Sequence, residues 1–248
     1  MSRDFTDYLR NYNELNFETT QEKYRLKRLN ELINRLREKH EFKNILEIGP
    51  GKNSVYSNFI HFENYTIIEP IFDFFENIKF SHPRLSVKNI TVEEYLAKDE
   101  NLKFDLVILS SVLHEVEDPE KLLRSLARII HTNSMILIVV PNNSSLHRII
   151  GQVEGYEKSG SVLTSTEKRM QQKTSYSVTS LEQFLKLNGF KVIEVRTSFL
   201  KPFPHAKMHE LYESGSLTEV DMESLYRLSE VFQSYGSEIF AVVELSND

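Results

Sequence analysis

The chain has 248 residues, with 30 lysines and arginines against 36 aspartates and glutamates, which gives a formal net charge of −6. That length suits one compact domain with additions or two small domains, and a core of this size needs no disulfide or metal to stabilise it. The chain contains no cysteine, which excludes disulfides, thiolate nucleophiles and cysteine-based metal sites, and the mild negative charge gives no sign of a nucleic-acid-binding face.

Neither a signal peptide nor a membrane span is predicted. Residues 1–7 are too polar for a signal peptide. The longest aliphatic run, residues 135–140, is far shorter than the roughly 20 residues that cross a bilayer. We therefore expect a cytoplasmic protein that neither enters a membrane nor binds nucleic acid.

The first forty residues are predicted to be helical. Leu29, Leu32, Ile33 and Leu36 follow the spacing of an apolar stripe along one face of a helix, and charged residues fill the other faces. This N-terminal segment, residues 1–40, either packs on the core or closes as a lid over the remainder, residues 41–248.

From residue 44 onward, short apolar runs alternate with stretches of helical character. The runs predicted to be strands are 44–48, 65–69, 85–88, 104–109, 135–140, 190–197 and 238–245. The stretches predicted to be helices are 54–62, 71–79, 92–98, 118–130, 180–189 and 205–233. Because strand–helix alternation suits right-handed crossovers, the pattern predicts a parallel sheet in an α/β fold. We expect the polar segment 142–178 to be partly helical and to lie over the sheet's edge.

The most informative segment runs from a predicted strand into two closely spaced glycines. In Glu47-Ile-Gly-Pro-Gly51, Gly49 and Gly51 allow a tight turn and a close approach of a ligand to main-chain N–H groups. Glu69 ends the next strand, 18 residues after Gly51, where a carboxylate can accept hydrogen bonds from both hydroxyls of a ribose. These residues predict a nucleoside site at the carboxyl edge of a parallel sheet.

Two cofactors compete for this nucleoside site. A dinucleotide site needs a third glycine where Ser54 stands, so that its diphosphate reaches the N-terminus of a helix. Glu47 also disfavours a diphosphate nearby, whereas it suits the cationic end of S-adenosylmethionine. A nicotinamide-dependent oxidoreductase stays open as an alternative, and so does a strand-to-helix turn that binds nothing.

Several segments together resemble the class I S-adenosylmethionine-dependent methyltransferases of the small-molecule, ubiquinone-methyltransferase-like type. They are Glu47-Ile-Gly-Pro-Gly51, Glu69, the runs 104–119 and 128–141, and the closing order of helix, Asn188-Gly-Phe190, strand, insertion and strand. The resemblance covers residues 42–245. It implies a Rossmann-like, seven-stranded mixed sheet in the order 3-2-1-4-5-7-6 with flanking helices, an N-terminal helical lid, and helical cap segments near 142–178 and 202–235.

The resemblance also implies a cofactor, S-adenosylmethionine, and the residues that would hold it. The glycine turn would pack on the methionine part, Glu69 would bind the ribose, and Pro70 or Ile71 would cover the adenine. The cofactor-binding residues implied in this way are Glu47, Gly49, Gly51, Glu69, Pro70, Ile71, Asn89, Ile90, Ser110 and Ser111.

His114 and Glu115 are the catalytic candidates, because they follow the fourth predicted strand, where the resemblance places the transferred methyl group. A hydroxyl acceptor of high pKa needs a base, and histidine is the usual one, although methyl transfer from a sulfonium mainly requires a well-positioned acceptor. His114 either touches the acceptor or packs beside the cofactor. Two adjacent loop residues make a poor metal pair, so no metal is expected.

Four further residues are candidates for binding the acceptor: His147, Arg148, Tyr176 and His205. Arg148 suits a carboxylate or phosphate, although a solvated helix start is an equally good interpretation. We expect a monomer or homodimer that methylates an oxygen or nitrogen of a small polar metabolite, such as a phosphorylated or sugar-linked compound of surface-polysaccharide synthesis. An NAD-dependent oxidoreductase and a non-catalytic S-adenosylmethionine-binding module are the alternatives.

Overall fold

The computed structural model describes residues 3–15, 21–74, 82–98, 103–155 and 163–246. A sheet of seven strands in the order β3-β2-β1-β4-β5-β7-β6 lies at its centre. The strands are β1 (Asn44–Ile48), β2 (Asn64–Ile68), β3 (Leu85–Lys88), β4 (Phe104–Ser110), β5 (Ile130–Pro141), β6 (Phe190–Ser198) and β7 (Glu238–Leu245). Strands β1 to β5 run parallel, and β7 is antiparallel to both β5 and β6. The expected mixed sheet and its strand order are confirmed.

Helices cover both faces of this sheet. Within the described residues they are α1 (Phe5–Leu15), α2 (Lys23–Arg37), α3 (Val92–Leu96), α4 (Pro119–Arg128), α5 (Leu146–Val153), α6 (Ser165–Arg169), α7 (Val178–Leu187), α8 (His205–Glu213) and α9 (Glu219–Leu228). None of the helices in this part of the chain has the length and apolar character needed to cross a membrane.

The sheet is buried on both faces, because its strands carry apolar side chains at consecutive positions. On β4, Val107 and Leu109 belong to the core layer that contains residues of α4 and α7. Leu106 and Ile108 belong to the opposite layer, which contains residues of α2. Alternate side chains of a strand point to opposite faces, so a doubly covered sheet requires continuous apolar runs of this kind.

The carboxyl ends of the parallel strands meet at one edge of the sheet, and β7 brings more of the chain to that edge. Glu238 at the start of β7 pairs with Pro141 at the end of β5 and with Ser198 at the end of β6. The turns after β1, β2, β4, β5 and β6 therefore lie along a single edge. The insertions α5–α6 and α8–α9 begin from the same edge.

The N-terminal segment forms two helices, and they differ in how they pack. α2 buries Leu29, Leu32 and Ile33 against the sheet, as its apolar stripe predicts. A Lys27–Glu223 ion pair at 2.6 Å also ties α2 to α9. In α1, by contrast, only one residue is fully buried. Of the two helices, α1 therefore contributes far less to the core.

The predicted helix over 54–62 is wrong, because this segment contains only the single 3-10 turn Tyr56–Asn58. The Glu47 carboxylate accepts hydrogen bonds from the Ser54 hydroxyl and from the Val55 N–H, the latter at 3.0 Å. These bonds hold the chain in a turn where a helix would have to start. After β2, the predicted helix over 71–79 starts as the 3-10 turn Phe72–Phe74, and residues 75–79 lie outside the described part of the chain.

The predicted helix over 205–233 is instead two helices, α8 and α9. Gly215 takes a φ of +71° in the turn between them, and Thr218 starts α9 with a capping box to Asp221. A left-handed residue and a capping box both favour a break over continuation. The segment 142–178 is partly helical, as expected, with α5 and α6, and residues 156–162 lie outside the described ranges.

Candidate cofactor and acceptor site

A cleft lies at the carboxyl edge where β1, β2 and β4 end side by side, and it encloses about 60 Å³. The turns after these strands and the N-terminal helices supply its lining, which consists of Arg3, Phe5, Tyr8, Tyr12, Arg25, Gly49, Gly51, Glu69, Pro70, Ile71, Phe74, Ser111, Val112 and Glu115. Seven residues that the sequence analysis selected are brought together here: Gly49, Gly51, Glu69, Pro70, Ile71, Ser111 and Glu115.

The two glycines of the turn after β1 have different roles. Both adopt a φ of +67°, which disfavours any side chain. A Cβ on Gly49 would lie only 2.2 Å from Val112 Cγ2, whereas a Cβ on Gly51 would meet nothing closer than Glu22 Oε1 at 3.8 Å. Gly49 therefore lets the turn pack against the loop after β4, and the space over Gly51 stays open to a ligand.

The Glu69 carboxylate is fixed between two turns. It accepts main-chain hydrogen bonds from Gly51 and from Ile71, each at 3.1 Å, and only 4% of the residue is exposed. Burial raises the pKa of Glu69 to about 7, although these two N–H donors oppose the shift. Because each carboxylate oxygen accepts only one of these bonds, each keeps a lone pair for a ligand hydroxyl.

Glu47 does not line the cleft. Its side chain is buried among Ser54, Val55 and Tyr65, and the Tyr65 hydroxyl donates to it at 2.8 Å. Burial raises the pKa of this carboxyl as well. Side chains alternate along β1, which directs Glu47 to the same face as Ile45 rather than to the edge. Its contacts therefore organise the turn, and its assignment to the cofactor stays a prediction.

Asn89 and Ile90, at the end of β3, support the cleft from outside its lining. The Asn89 Nδ2 donates to the carbonyl oxygens of Glu69 and Pro70 at 3.1 and 2.9 Å. Ile90 packs against the core. These contacts hold the turn that carries Pro70 and Ile71, which do line the cleft.

Arg25 of α2 reaches the cleft from the N-terminal side, and sequence reasoning missed it. Its Nη1 donates to Ser111 Oγ at 3.1 Å and its Nη2 to Glu22 Oε1 at 2.9 Å. Its buried Nε has no hydrogen-bond partner among the described residues. The signal was present: Arg25 stands four residues before Leu29, so a charge occupies the buried stripe of α2.

The end of β4 changes direction sharply at the cleft. Ser111 has a φ of +58°, a strained value for a residue with a side chain, and such strain concentrates at functional sites. Ser110 is buried at the end of β4 and lies outside the lining. Of the two serines, only Ser111 offers its hydroxyl to the cleft.

His114 and Glu115, on the loop after β4, are both buried. Glu115 accepts a hydrogen bond from the Tyr8 hydroxyl at 3.1 Å and forms an ion pair with Arg3. Burial, together with the charges of Arg3 and Arg25, lowers the pKa of His114 to about 3, so its ring is neutral at neutral pH. The Nδ1 of His114 has no hydrogen-bond partner within the described ranges.

Helix α1 forms the outer wall of the cleft and is held on two sides. On one side the Tyr12 hydroxyl donates to Glu22 at 3.0 Å, and its ring packs against Phe74 with centroids 5.1 Å apart. On the other side the Asn11 Nδ2 donates to the carbonyl of Arg169 at 3.0 Å. α1 therefore lies across the carboxyl edge, between α6 and the cleft.

His147 and His205 lie together farther along the same edge. Burial lowers the pKa of His147, and the positive charges of Lys201, Arg148 and His205 lower it further, which places these groups near one another. The Nδ1 of His147 lies 3.0 Å from Ser145 Oγ. Lys201, on the loop after β6, was not selected from the sequence.

The other two acceptor candidates, Arg148 and Tyr176, make contacts that stabilise the fold. Arg148 is buried and pairs with Glu167 at 2.6 Å, which fixes α5 to α6. Tyr176 belongs to the core, where its ring packs against Phe184 with centroids 5.7 Å apart. Neither residue lines the cleft.

A family model described as a methyltransferase domain matches residues 21–195. The chain belongs to this family and is a class I S-adenosylmethionine-dependent methyltransferase. A search of curated proteins finds no match. The match covers the glycine turn, the turn after β2 and the whole of β4, which form the inner part of the cleft, whereas α1 at its outer wall lies outside the match.

Solved structures share the fold of this methyltransferase. The plantazolicin methyltransferase BpumL, crystallised with a monoazolic desmethylPZN analog and SAH, is 15% identical, and the alignment covers 96% of this chain and 90% of that chain with a TM-score of 0.58. A methyltransferase from Clostridium acetobutylicum is 10% identical, with 98% and 99% covered and a TM-score of 0.55. One from Mesorhizobium loti is 13% identical, with 85% and 96% covered and a TM-score of 0.54.

The chemistry of the residues that line the cleft suits S-adenosylmethionine. The open space over Gly51 suits the methionine part, and Glu69 has lone pairs for the ribose hydroxyls. The Nε of Arg25, which has no hydrogen-bond partner in the described part of the chain, suits the methionine carboxylate. A dinucleotide fits poorly, because its diphosphate needs the N-terminus of a helix and only the short turn Tyr56–Asn58 follows the glycines.

Cofactor affinity should depend on pH through Glu69. Ribose hydroxyls donate better to the ionised carboxylate, so binding lowers its pKa and releases a proton. Since the pKa is about 7 without cofactor, affinity rises with pH up to about 7 and is constant above it. We expect S-adenosylhomocysteine to bind about tenfold more weakly at pH 6 than at pH 8. Calorimetry at the two pH values measures this, and the Glu69→Gln variant should give a flat profile. A wild-type profile as flat as that of the variant would contradict the assignment.

Proposed function

We propose that this methyltransferase moves a methyl group from S-adenosylmethionine to an oxygen or nitrogen of a small polar metabolite, such as a phosphorylated or sugar-linked compound. One observation supports this proposal: a second group of polar side chains, His147, Lys201 and His205, lies at the same edge of the sheet as the cleft, where β5 and β6 lead into the helical insertions. An acceptor held there would meet the cofactor at Ser111. Because helical insertions border this part of the edge, the site favours a small acceptor over a polymer.

When bound, the cofactor would supply a methyl group on a sulfonium: a lone pair of the acceptor bonds to the methyl carbon while the carbon–sulfur bond breaks, and S-adenosylhomocysteine leaves. A neutral His114 can accept a hydrogen bond from the acceptor and so orient it. A base with a pKa of about 3 is too weak to take a full proton at neutral pH. Glu115, whose pKa is raised by burial, is the better proton acceptor once Arg3 and Tyr8 move away.

A screen of metabolites tests this function. Wild-type protein is incubated with S-adenosylmethionine labelled in the methyl group and with fractionated pools of small molecules, proteins and nucleic acids. Label in a small-molecule fraction, with one S-adenosylhomocysteine formed per methyl transferred, supports the proposal. Label only in the protein or nucleic-acid fractions would contradict it.

We also propose that α1 is the lid of the cofactor site. A cavity of about 60 Å³ is far smaller than the roughly 300–1,000 Å³ of small-molecule sites, because side chains of the N-terminal segment occupy its outer wall. Arg3 and Tyr8 hold the lid by their contacts with Glu115. The lid therefore has to move before the cofactor enters.

Breaking this latch should speed cofactor entry. We expect Arg3→Ala to raise the association rate of S-adenosylhomocysteine by about 3- to 30-fold, since it removes a buried, charge-assisted contact that keeps the lid closed. Stopped-flow tyrosine fluorescence measures the rate. Arg10→Ala is the matched control, because Arg10 is exposed on α1 and pairs with Asp7 of the same helix. Equal association rates in all three proteins would refute the latch.

A further inference from the structure

Lys201, on the loop after β6, is a buried cation that forms no ion pair with the described residues. The residue is only 5% exposed. Its ammonium donates one hydrogen bond, to Gln21 Oε1 at 3.1 Å, and no carboxylate of the described residues lies within 4.0 Å of it. Within the described part of the chain, two of its three N–H donors therefore have no partner.

Such an arrangement is costly unless something completes it. A buried ammonium loses its hydration, and a native protein offsets that loss with a counter-charge and hydrogen bonds. The cost is visible in the pKa of Lys201, which burial lowers to about 8 although the more distant Glu238 opposes the shift. Lys201 therefore has both the charge and the free donors to bind an anion.

The groups around Lys201 also favour an anion. His147 of α5 is close enough to feel the charges of Lys201 and of His205 of α8, and both imidazole rings can donate hydrogen bonds. Arg148 adds positive potential, although its charge is engaged by Glu167. Among the described residues, Glu238 is the one carboxyl whose charge acts on Lys201. Burial raises the pKa of Glu238, so it is a weaker counter-charge for Lys201.

Lys201, His147 and His205, the Lys201 cluster, are connected to the cofactor cleft through a chain of contacts. Gln21 accepts the hydrogen bond from Lys201 and also bonds to Glu238. Glu238 interacts electrostatically with Arg25, and Arg25 donates to Ser111 in the lining of the cleft. The cofactor residues lie at the ends of β2, β1 and β4, and the Lys201 cluster lies at the ends of β5, β7 and β6. A molecule bound at Lys201 would therefore lie next to the cofactor.

We propose that the methyl acceptor carries an oxyanion, a carboxylate or a phosphate, and that Lys201 binds this group with His147 and His205 as further donors. The inference rests on the proposed methyl transfer, and it names the chemical class of the acceptor. A cationic acceptor is disfavoured, because it would add charge beside an ammonium that is already unneutralised.

Nuclear magnetic resonance of the lysine side chains in the full chain, saturated with S-adenosylhomocysteine, tests this site. Inorganic phosphate and acetate are the probes, each added at constant ionic strength against chloride. We expect one of them to shift the Lys201 signal saturably and to raise its pKa by about 1–3 units. A larger response to phosphate or to acetate identifies the oxyanion. If phosphate and acetate shifted the Lys201 signal no more than chloride does, the proposal would be overturned.

Three variants complete the test. Lys201→Met should weaken binding of the effective probe at least about tenfold, whereas Lys201→Arg should retain it. Lys207→Met is the control, because Lys207 lies on the exposed side of α8 and pairs with Glu210. All three should bind S-adenosylhomocysteine as the wild type does. Undiminished probe binding to Lys201→Met would also overturn the proposal, while failure of S-adenosylhomocysteine to bind the wild type would instead overturn the proposed function.

Discussion

Gly49→Val is expected to destabilise the fold by about 3–5 kcal/mol, which corresponds to a fall in Tm of about 6–20 °C for a chain of this size. The φ of +67° disfavours any side chain, and a Cβ would lie 2.2 Å from Val112 Cγ2 and 2.9 Å from the Ser110 carbonyl oxygen. Valine adds two methyl groups beyond that Cβ. The turn after β1 and the loop after β4 would have to separate.

Differential scanning calorimetry measures this loss, and Gly51→Ala is the matched control. Gly51 has the same φ, but a Cβ there meets nothing closer than 3.8 Å, so its cost should be only the backbone strain of about 1–2 kcal/mol. A Gly49→Val protein as stable as Gly51→Ala would show that the packing of Gly49 against Val112 is not what the turn requires.

Glu69→Ala should weaken the binding of S-adenosylhomocysteine by about 10- to 100-fold, because two ribose hydroxyls lose their charged acceptor at a cost of about 1–3 kcal/mol. The fold should survive, since the main chain of Gly51 and Ile71 borders the cleft and can be hydrated. Titration calorimetry gives the affinity, and the melting temperature reports the fold.

Glu63→Ala is the control for this change. Glu63 is an exposed carboxylate near the start of β2, and it pairs with Lys43 at 3.6 Å on the surface. Its removal should leave affinity within about twofold, because exposed ion pairs contribute little. If Glu69→Ala bound as tightly as Glu63→Ala, the ribose assignment would be refuted.

The sheet could be predicted from the sequence because its information is local. Each strand is a short apolar run, and the turn of Gly49 and Gly51 follows directly on β1. The absence of the helix predicted over 54–62 could not be foreseen from local sequence. It depends on the Glu47 side chain, which points to a sheet face and bonds to Ser54 and Val55, and the alternation of side chains along a strand was the one available clue.

The rest of the site depends on contacts between distant parts of the chain. Arg3, just before α1, and Arg25 of α2 reach the cleft from an N-terminal segment whose path a sequence pattern does not define. Lys201 reaches the same edge only because β7 runs antiparallel and pairs the end of β6 with its own start. Tyr176 illustrates the opposite error, because its place before a helix predicted a pocket and its ring packs in the core.

Titration calorimetry of the wild-type protein with S-adenosylhomocysteine, and in parallel with NAD, tests the central claim most directly. The account predicts a saturable isotherm with one S-adenosylhomocysteine per chain, release of a proton below pH 7, and no binding of NAD. Absence of S-adenosylhomocysteine binding, or a saturable isotherm with NAD, would contradict the assignment of the cleft formed by Gly51, Glu69 and Arg25 to S-adenosylmethionine.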